Sequence, residues 1–215
     1  MNNMDIDTFL ANFKKREKDS YKGKEGRLCI IGGSFGMAGA LMLNIIGARS
    51  MGASYINVCL DEKIYDVVAN KYLTCVYHPF NSSNYLDVIK EAIDNSSVVL
   101  YGCGINKLEY KKDILDYLLT IDKPLILDAG AFDDLDISKL KNRTSISILT
   151  PHIKDYSRIT NLDMNDIKDN EINIGKNFSK ESNSILILKG VNTKAIYLDD
   201  VYINETGNEA LAQAG

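Results

Sequence analysis

Apolar residues along this chain gather in short runs that alternate with longer stretches in which they return every third or fourth position. The short runs, at 27–31, 55–60, 73–77, 98–102, 125–128, 147–149 and 185–189, are rich in Val, Ile, Leu, Tyr and Cys and predict strands. The longer stretches, among them 38–51, 84–93, 108–119 and 164–178, predict amphipathic helices. Strand and helix alternating in this way imply βαβ crossovers and a mainly parallel sheet. Runs such as Leu125-Ile126-Leu127 and Ile185-Leu186-Ile187-Leu188 contain no polar alternate, so helices should cover both faces of that sheet. After Gly190 the pattern changes to 194–198 and 201–204 around Asp199-Asp200, which predicts a hairpin beside the parallel strands.

The 215 residues can bury one large core, and no interior stretch reads as a linker, so 1–215 is expected to be a single domain. A net charge of −4 with scattered Lys and Arg argues against nucleic acid, whose binding needs clustered cations to displace counterions. Lys14-Lys15-Arg16 belongs to an amphipathic N-terminal helical segment, 1–20, and reads as a solvated face. Cys29, Cys59, Cys75 and Cys103 each sit in an apolar or β-branched run, and none forms a C-x-x-C pair. They are expected to be buried thiols of a reducing compartment. No apolar stretch reaches the roughly 18 residues of a membrane span, and 1–20 lacks a signal-peptide core, so a cytoplasmic location is expected.

Candidate chemistry lies where the predicted strands end. The run Leu28-Cys29-Ile30-Ile31 breaks into Gly32-Gly33-Ser34-Phe35-Gly36-Met37-Ala38-Gly39-Ala40, and a helical pattern follows at once. Such a turn brings bare backbone N–H groups to a sheet edge, although a plain tight connection also looks like this. It fits neither G-x-x-x-x-G-K-[ST] nor G-x-G-x-x-G, so it does not name a ligand. After later strands stand Gly102-Cys103-Gly104, Asp128-Ala129-Gly130, Thr150-Pro151-His152 and Lys189-Gly190. Open parallel sheets bind ligands outside these carboxyl ends, where the chain collects an acid, an imidazole and an amine. Lys189, ending a buried strand, must reach open solvent or an anion: a nucleotide phosphate is the natural one, and Asp128 across the sheet edge is the alternative. His152 is either a ligand-binding imidazole or a polar cap at a strand-to-helix corner, with Pro151 suited to a first helical position. His78, before Pro79, has no motif around it and reads as surface or packing.

These segments, in this order, resemble the ADP- or ATP-dependent NAD(P)H-hydrate dehydratases, a branch of the ribokinase-like fold. The matching text is Lys22-Gly23 leading to Gly26-Arg27-Leu28 and the glycine turn, then Gly102-Cys103-Gly104, Leu127-Asp128-Ala129 and Leu149-Thr150-Pro151-His152. Leu188-Lys189-Gly190 with Thr193, and Thr206-Gly207-Asn208, complete it. The resemblance implies a ribokinase-like three-layer α/β sandwich and a role in nicotinamide nucleotide repair. In that chemistry ADP or ATP phosphorylates the hydroxyl of a hydrated nicotinamide, usually with Mg²⁺, and loss of phosphate restores the dihydronicotinamide.

By the same resemblance Ala40, Gly104 and His152 bind the hydrated NAD(P)H, with Gly39 and Asp128 in support. Lys189, Gly190, Val191, Asn192, Thr193 and Asn208 form the nucleotide site, and Asp128 is a candidate to organise water-bound Mg²⁺. No metal ligand set is assigned. The family's catalytic Asp follows a glycine-rich loop, a position beyond Gly215, so the chain is expected to be C-terminally truncated. Related enzymes assemble as dimers or tetramers, and a homo-oligomer is implied. Departures from the family pattern at Cys103, Asn106, Gly130, Asp155, Glu209-Ala210 and Gln213-Ala214 keep two alternatives open: a ribokinase-like kinase of a small alcohol, and a catalytically silent nucleotide-binding relative.

Overall fold

The computed structural model describes residues 16–207 together with Ala11, so most of the expected segment 1–20, and Asn208, lie outside the described residues. Strand β1 (Leu28–Ile31) feeds helix α1 (Ala38–Ser50). Strand β2 (Ile56–Asp61) is followed by a 3-10 turn (Glu62–Ile64), the short helix α2 (Tyr65–Ala69), β3 (Val76–Phe80) and α3 (Tyr85–Asp94). Next come β4 (Val98–Tyr101), α4 (Lys111–Leu118), β5 (Leu125–Leu127), a second 3-10 turn (Ala129–Asp133) and α5 (Ile137–Lys141). Then follow β6 (Ser147–Leu149), α6 (Ile153–Thr160), α7 (Met164–Asp169), α8 (Glu171–Ser182) and β7 (Ser184–Leu188). The hairpin strands are β8 (Thr193–Tyr197) and β9 (Asp200–Asn204).

Among the described residues the strands form one sheet in the order β3-β2-β1-β4-β5-β6-β7-β8-β9. Pairing is parallel from β3 to β7 and antiparallel for the two hairpin contacts, as the change of pattern after Gly190 predicts. All parallel strands therefore end at one edge.

Register separates two faces. Cys29, Ile31, Val99, Tyr101, Leu125, Leu127, Leu149 and Leu186 share one face, and all are buried in one core with Ile89 of α3, Ile114 of α4 and Phe178 of α8. Each such aliphatic side chain removed from water contributes about 1.5–3 kcal/mol. On the other face Leu41 and Ile45 of α1 cover Ile30, Ile56 and Val58. Helices thus flank both faces, but unequally: Leu100, Ile126, Ile148 and Ile187 on the second face are half-buried.

Three expectations shift. The strand expected at 73–77 forms at Val76–Phe80, leaving Leu73 83% exposed and Phe80 fully buried. Strand β3 lies at the sheet edge, where Pro79 lacks a ladder N–H at no cost. Cys75 consequently precedes the strand and is half-buried, whereas Cys29, Cys59 and Cys103 are buried as expected. The helix expected at 164–178 divides at Asn170, whose backbone (φ −144°, ψ 36°) leaves the helical region between α7 and α8. Pro151 is not the first helical residue; His152 is the N-cap and α6 begins at Ile153.

Arg49 Nε and Tyr156 Oη are buried without a hydrogen-bond partner among the described residues, but other polar groups inside the fold are paired. The Arg143 guanidinium, 8% exposed, donates to Ser147 Oγ (3.0 Å) and to the carbonyls of Leu118 (2.9 Å), Ile121 (3.0 Å) and Lys123 (2.6 Å). It stitches the end of α4 to the strands it precedes. His78 packs against the sheet, with Nε2 3.0 Å from Asn57 Oδ1, and Asn57 Nδ2 donates to Ser96 Oγ at 2.9 Å.

Candidate functional site

The glycine turn after β1 is closed by a second glycine segment after β4. Gly33 N donates to Cys103 O at 2.7 Å, and the buried Ser34 hydroxyl donates to Gly104 O at 2.7 Å. Gly104 has φ +69°, and a Cβ there would stand 2.7 Å from Met37 O and 3.3 Å from Ala40 Cβ. The missing side chain lets this segment close directly onto the first turn of α1, so that Gly104 and Ala40 form one side-chain-poor seat of main chain beside Gly39. Two residues upstream the packing is tighter still. Gly102 has φ +121°, and its Cβ would fall 1.8 Å from Asp128 O, so backbone of the β4 and β5 ends is in direct contact.

That contact carries the seat over to the charged residues. Asp128 follows β5, and its Oδ1 accepts from Lys189 Nζ at 2.7 Å and from Thr150 Oγ1 at 2.9 Å. Lys189 follows β7; its backbone N donates to Pro151 O at 2.9 Å, and a parallel bridge pairs it with His152. The His152 imidazole is exposed, while its backbone N is capped by Asp155 Oδ2 at 3.3 Å. Beyond Lys189 the chain turns through Gly190, Val191 and Asn192, with Thr193 Oγ1 donating to Gly190 O at 3.0 Å. Val191 is 92% exposed, so the tip of this loop stands open to solvent.

The structure thus brings Ala40 against Gly104, and Lys189 against Asp128 and the His152 backbone. The Lys189–Asp128 pair is the carboxylate alternative of the sequence reading, and the half-buried ammonium stays on the rim. Sequence reasoning passed over Ser34 and Thr150 as site residues. Both directly follow or closely follow strand ends, which is the signal that could have found them. Cys103 is packed into the turn, and burial pushes its thiol up to about 12, so it is no nucleophile at neutral pH.

Two larger cavities lie elsewhere. One, ≈ 790 Å³, opens at the amino edge of the sheet by Arg27 and Tyr55, and another, ≈ 560 Å³, lies between α8 and the hairpin by Lys176 and Tyr202. Neither contains a strand carboxyl end of the parallel sheet, and the convergent polar groups are on the rim. Among the described residues no three His, Cys, Asp or Glu side chains are grouped to hold a metal. Beside Lys189 the rim offers the Asp128 carboxylate, already paired with that ammonium, which suits Mg²⁺ carried by nucleotide phosphates and water better than a protein cage. No helix among the described residues is long and apolar enough to cross a membrane.

A mainly parallel sheet flanked by helices, with an antiparallel hairpin at one end, is a ribokinase-like α/β fold. A ribokinase-like superfamily protein from Enterococcus faecalis has the same fold, with a TM-score of 0.79 over 90% of this chain and 68% of its own at 21% identity. Within that class, the chain belongs to the NAD(P)H-hydrate dehydratase family, whose model matches residues 28–215. The crystal structure of ADP/ATP-dependent NAD(P)H-hydrate dehydratase from Bacillus subtilis, co-crystallised with ATP and Mg²⁺, is similar at 27% identity and a TM-score of 0.81. The match covers 96% of this chain and 73% of that one. The bifunctional NAD(P)H-hydrate repair enzyme of Dictyoglomus turgidum is 31% identical over 92% of this chain, which spans 40% of its length.

Proposed function

We propose that this chain restores hydrated NADH or NADPH by ADP- or ATP-dependent dehydration. The observation that carries the reading is the meeting, on one sheet edge, of the close-packed Gly104–Ala40 main chain and the Lys189 ammonium held by Asp128, whose carboxylate Thr150 also bonds. A flat ring lies against the main chain at the first. A phosphate chain is neutralised at the second, with Gly190 to Thr193 around it.

In this reading the ring hydroxyl takes the terminal phosphoryl group, AMP departs from ADP or ADP from ATP, and the hydroxyl proton passes to a base not assigned to any residue named here. Phosphate then leaves with the C–O bonding pair while the neighbouring ring carbon loses a proton, which forms the ring double bond. Lys189 neutralises charge on the nucleotide, and Asp128 positions it; His152, at the helix N-cap, hydrogen-bonds the dinucleotide. Mg²⁺, when bound on the phosphates with Asp128 reaching it through water, would supply charge stabilisation of the transferring group. A cytoplasmic setting is part of the reading, supported by four free thiols, and so is assembly as a homo-oligomer.

Hydrated NADH, ADP and Mg²⁺ mixed with the full-length protein, including the loop expected beyond Gly215, should regain dihydronicotinamide absorbance, with one AMP and one phosphate released per NADH. Nucleotide binding without any recovery of absorbance would remove the proposal.

A further inference from the structure

A polar cavity of ≈ 300 Å³ opens at the carboxyl ends of β2 and β3, beside the glycine turn. Its place in the sheet matters. Strand order runs outward on both sides of β1 and β4, β2 and β3 to one side and β5 onward to the other, so the glycine turn sits at a topological switch point. Ligands that occupy such a crevice extend across the neighbouring strand end, where an acid closing that strand meets a ribose.

Asp61 closes β2 and lines the cavity at 7% exposure. Its Oδ1 accepts from Lys63 N at 3.1 Å, while Oδ2 has no hydrogen-bond partner among the described residues. Lys107, also in the wall, places Nζ 3.2 Å from where a Cβ on Gly36 would lie, against the turn itself. Neither Lys107 nor Lys63 is ion-paired with a carboxylate among the described residues. Glu62, by contrast, is engaged by Asn81 Nδ2 at 2.9 Å. Leading away from the Gly104–Ala40 seat, the rim therefore presents a glycine turn with an unpaired ammonium, then a carboxylate with an open oxygen. That is the order of a diphosphate followed by a vicinal diol.

We propose that this cavity is the subsite for the adenylyl half of the dinucleotide, with Lys107 on the diphosphate and Asp61 on the ribose hydroxyls. The inference rests on the dehydratase reading for the nicotinamide end. A carboxylate accepts from both hydroxyls of a diol and repels a 2′-phosphate, so the site prefers the NADH form to the NADPH form.

The test titrates the full chain with NADH and with reduced nicotinamide mononucleotide, following dihydronicotinamide fluorescence. NADH should bind at least about tenfold more tightly than the mononucleotide, since charge-assisted contacts are lost with the adenylyl half. Lys107→Ala and Asp61→Asn should each narrow that gap, and Asp61→Asn should also narrow the preference for NADH over NADPH. Unchanged mononucleotide affinity in the variants reports an intact fold. Equal affinities of the wild type for NADH and mononucleotide, or an undiminished gap in both variants, overturns the subsite and leaves the dehydratase reading standing. Failure of the wild type to bind either ligand overturns both.

Discussion

Lys189 Nζ and Asp128 Oδ1 stand 2.7 Å apart although their strands, β7 and β5, are separated by β6, and Thr150 at the end of β6 donates to the same oxygen at 2.9 Å. Three consecutive strand ends converge on one carboxylate. The ammonium is therefore fixed over the middle of the rim instead of sweeping through solvent.

Lys189→Ala should weaken ADP binding about tenfold by calorimetry, because a charge-assisted contact to phosphate is lost. Its effect on stability should be small, about 1 kcal/mol, since both partners keep roughly a quarter of their side-chain exposure, 29% and 24%. Unchanged ADP affinity would reduce Lys189 to a partner of Asp128.

Gly104→Ala should abolish the seat for the reduced ring. The backbone there is left-handed, and the new methyl meets Met37 O, so a stability loss of about 2 kcal/mol accompanies it. Ala40→Val separates the two effects: it stays in a helical turn and extends over the same seat. Both variants should lose NADH fluorescence enhancement about tenfold in affinity while ADP binding persists. Retention of NADH affinity by Ala40→Val would mean that the ring lies elsewhere.

Alternation of strand and helix fixed the fold class because parallel strands buried on both faces carry unbroken apolar runs. Element ends were less legible. Pro79 would break a central strand, yet at the sheet edge its missing N–H is tolerated, so β3 forms three residues later than the expected 73–77. Asn170 carries no Gly or Pro signal for the break it makes. At the site, strand-end residues announced themselves by position, but the choice of partner did not. Lys189 finds Asp128 across the end of β6, a distance that no spacing along the chain encodes. The second face of the sheet is likewise a tertiary matter: Ile126 and Ile148 look like core and are half-buried.

Burial lowers the pKa of His78 below its ordinary 6.5, opposed by the Glu91 carboxylate. The unfolded chain then binds a proton at this site before the folded one does, so stability is full above pH 6.5 and falls as pH drops through 6.5 toward the depressed value. Urea midpoints measured at neutral pH and about one unit below 6.5 should differ in that sense, and His78→Gln should flatten the difference. A midpoint rising on acidification would contradict it.

Arg143→Met should lower the urea midpoint by about 3 kcal/mol equivalent, because three main-chain carbonyls and Ser147 lose their donors in a site that is 8% exposed. Arg143→Lys should recover only part, as a single ammonium cannot span the fork. A midpoint within experimental scatter of wild type would show that water replaces the guanidinium.

The backbone link between Lys189 and Pro151, with its bridge to His152, continues the β6–β7 ladder past the strands proper. Lys189 and His152, the proposed anchors for the two co-substrates, consequently belong to one stiff plank. Hinge bending between them is denied, and adjustment to an arriving phosphate is left to the protruding tip around Val191. Structures of empty and loaded protein should then superimpose closely along this edge, with displacement confined to that tip.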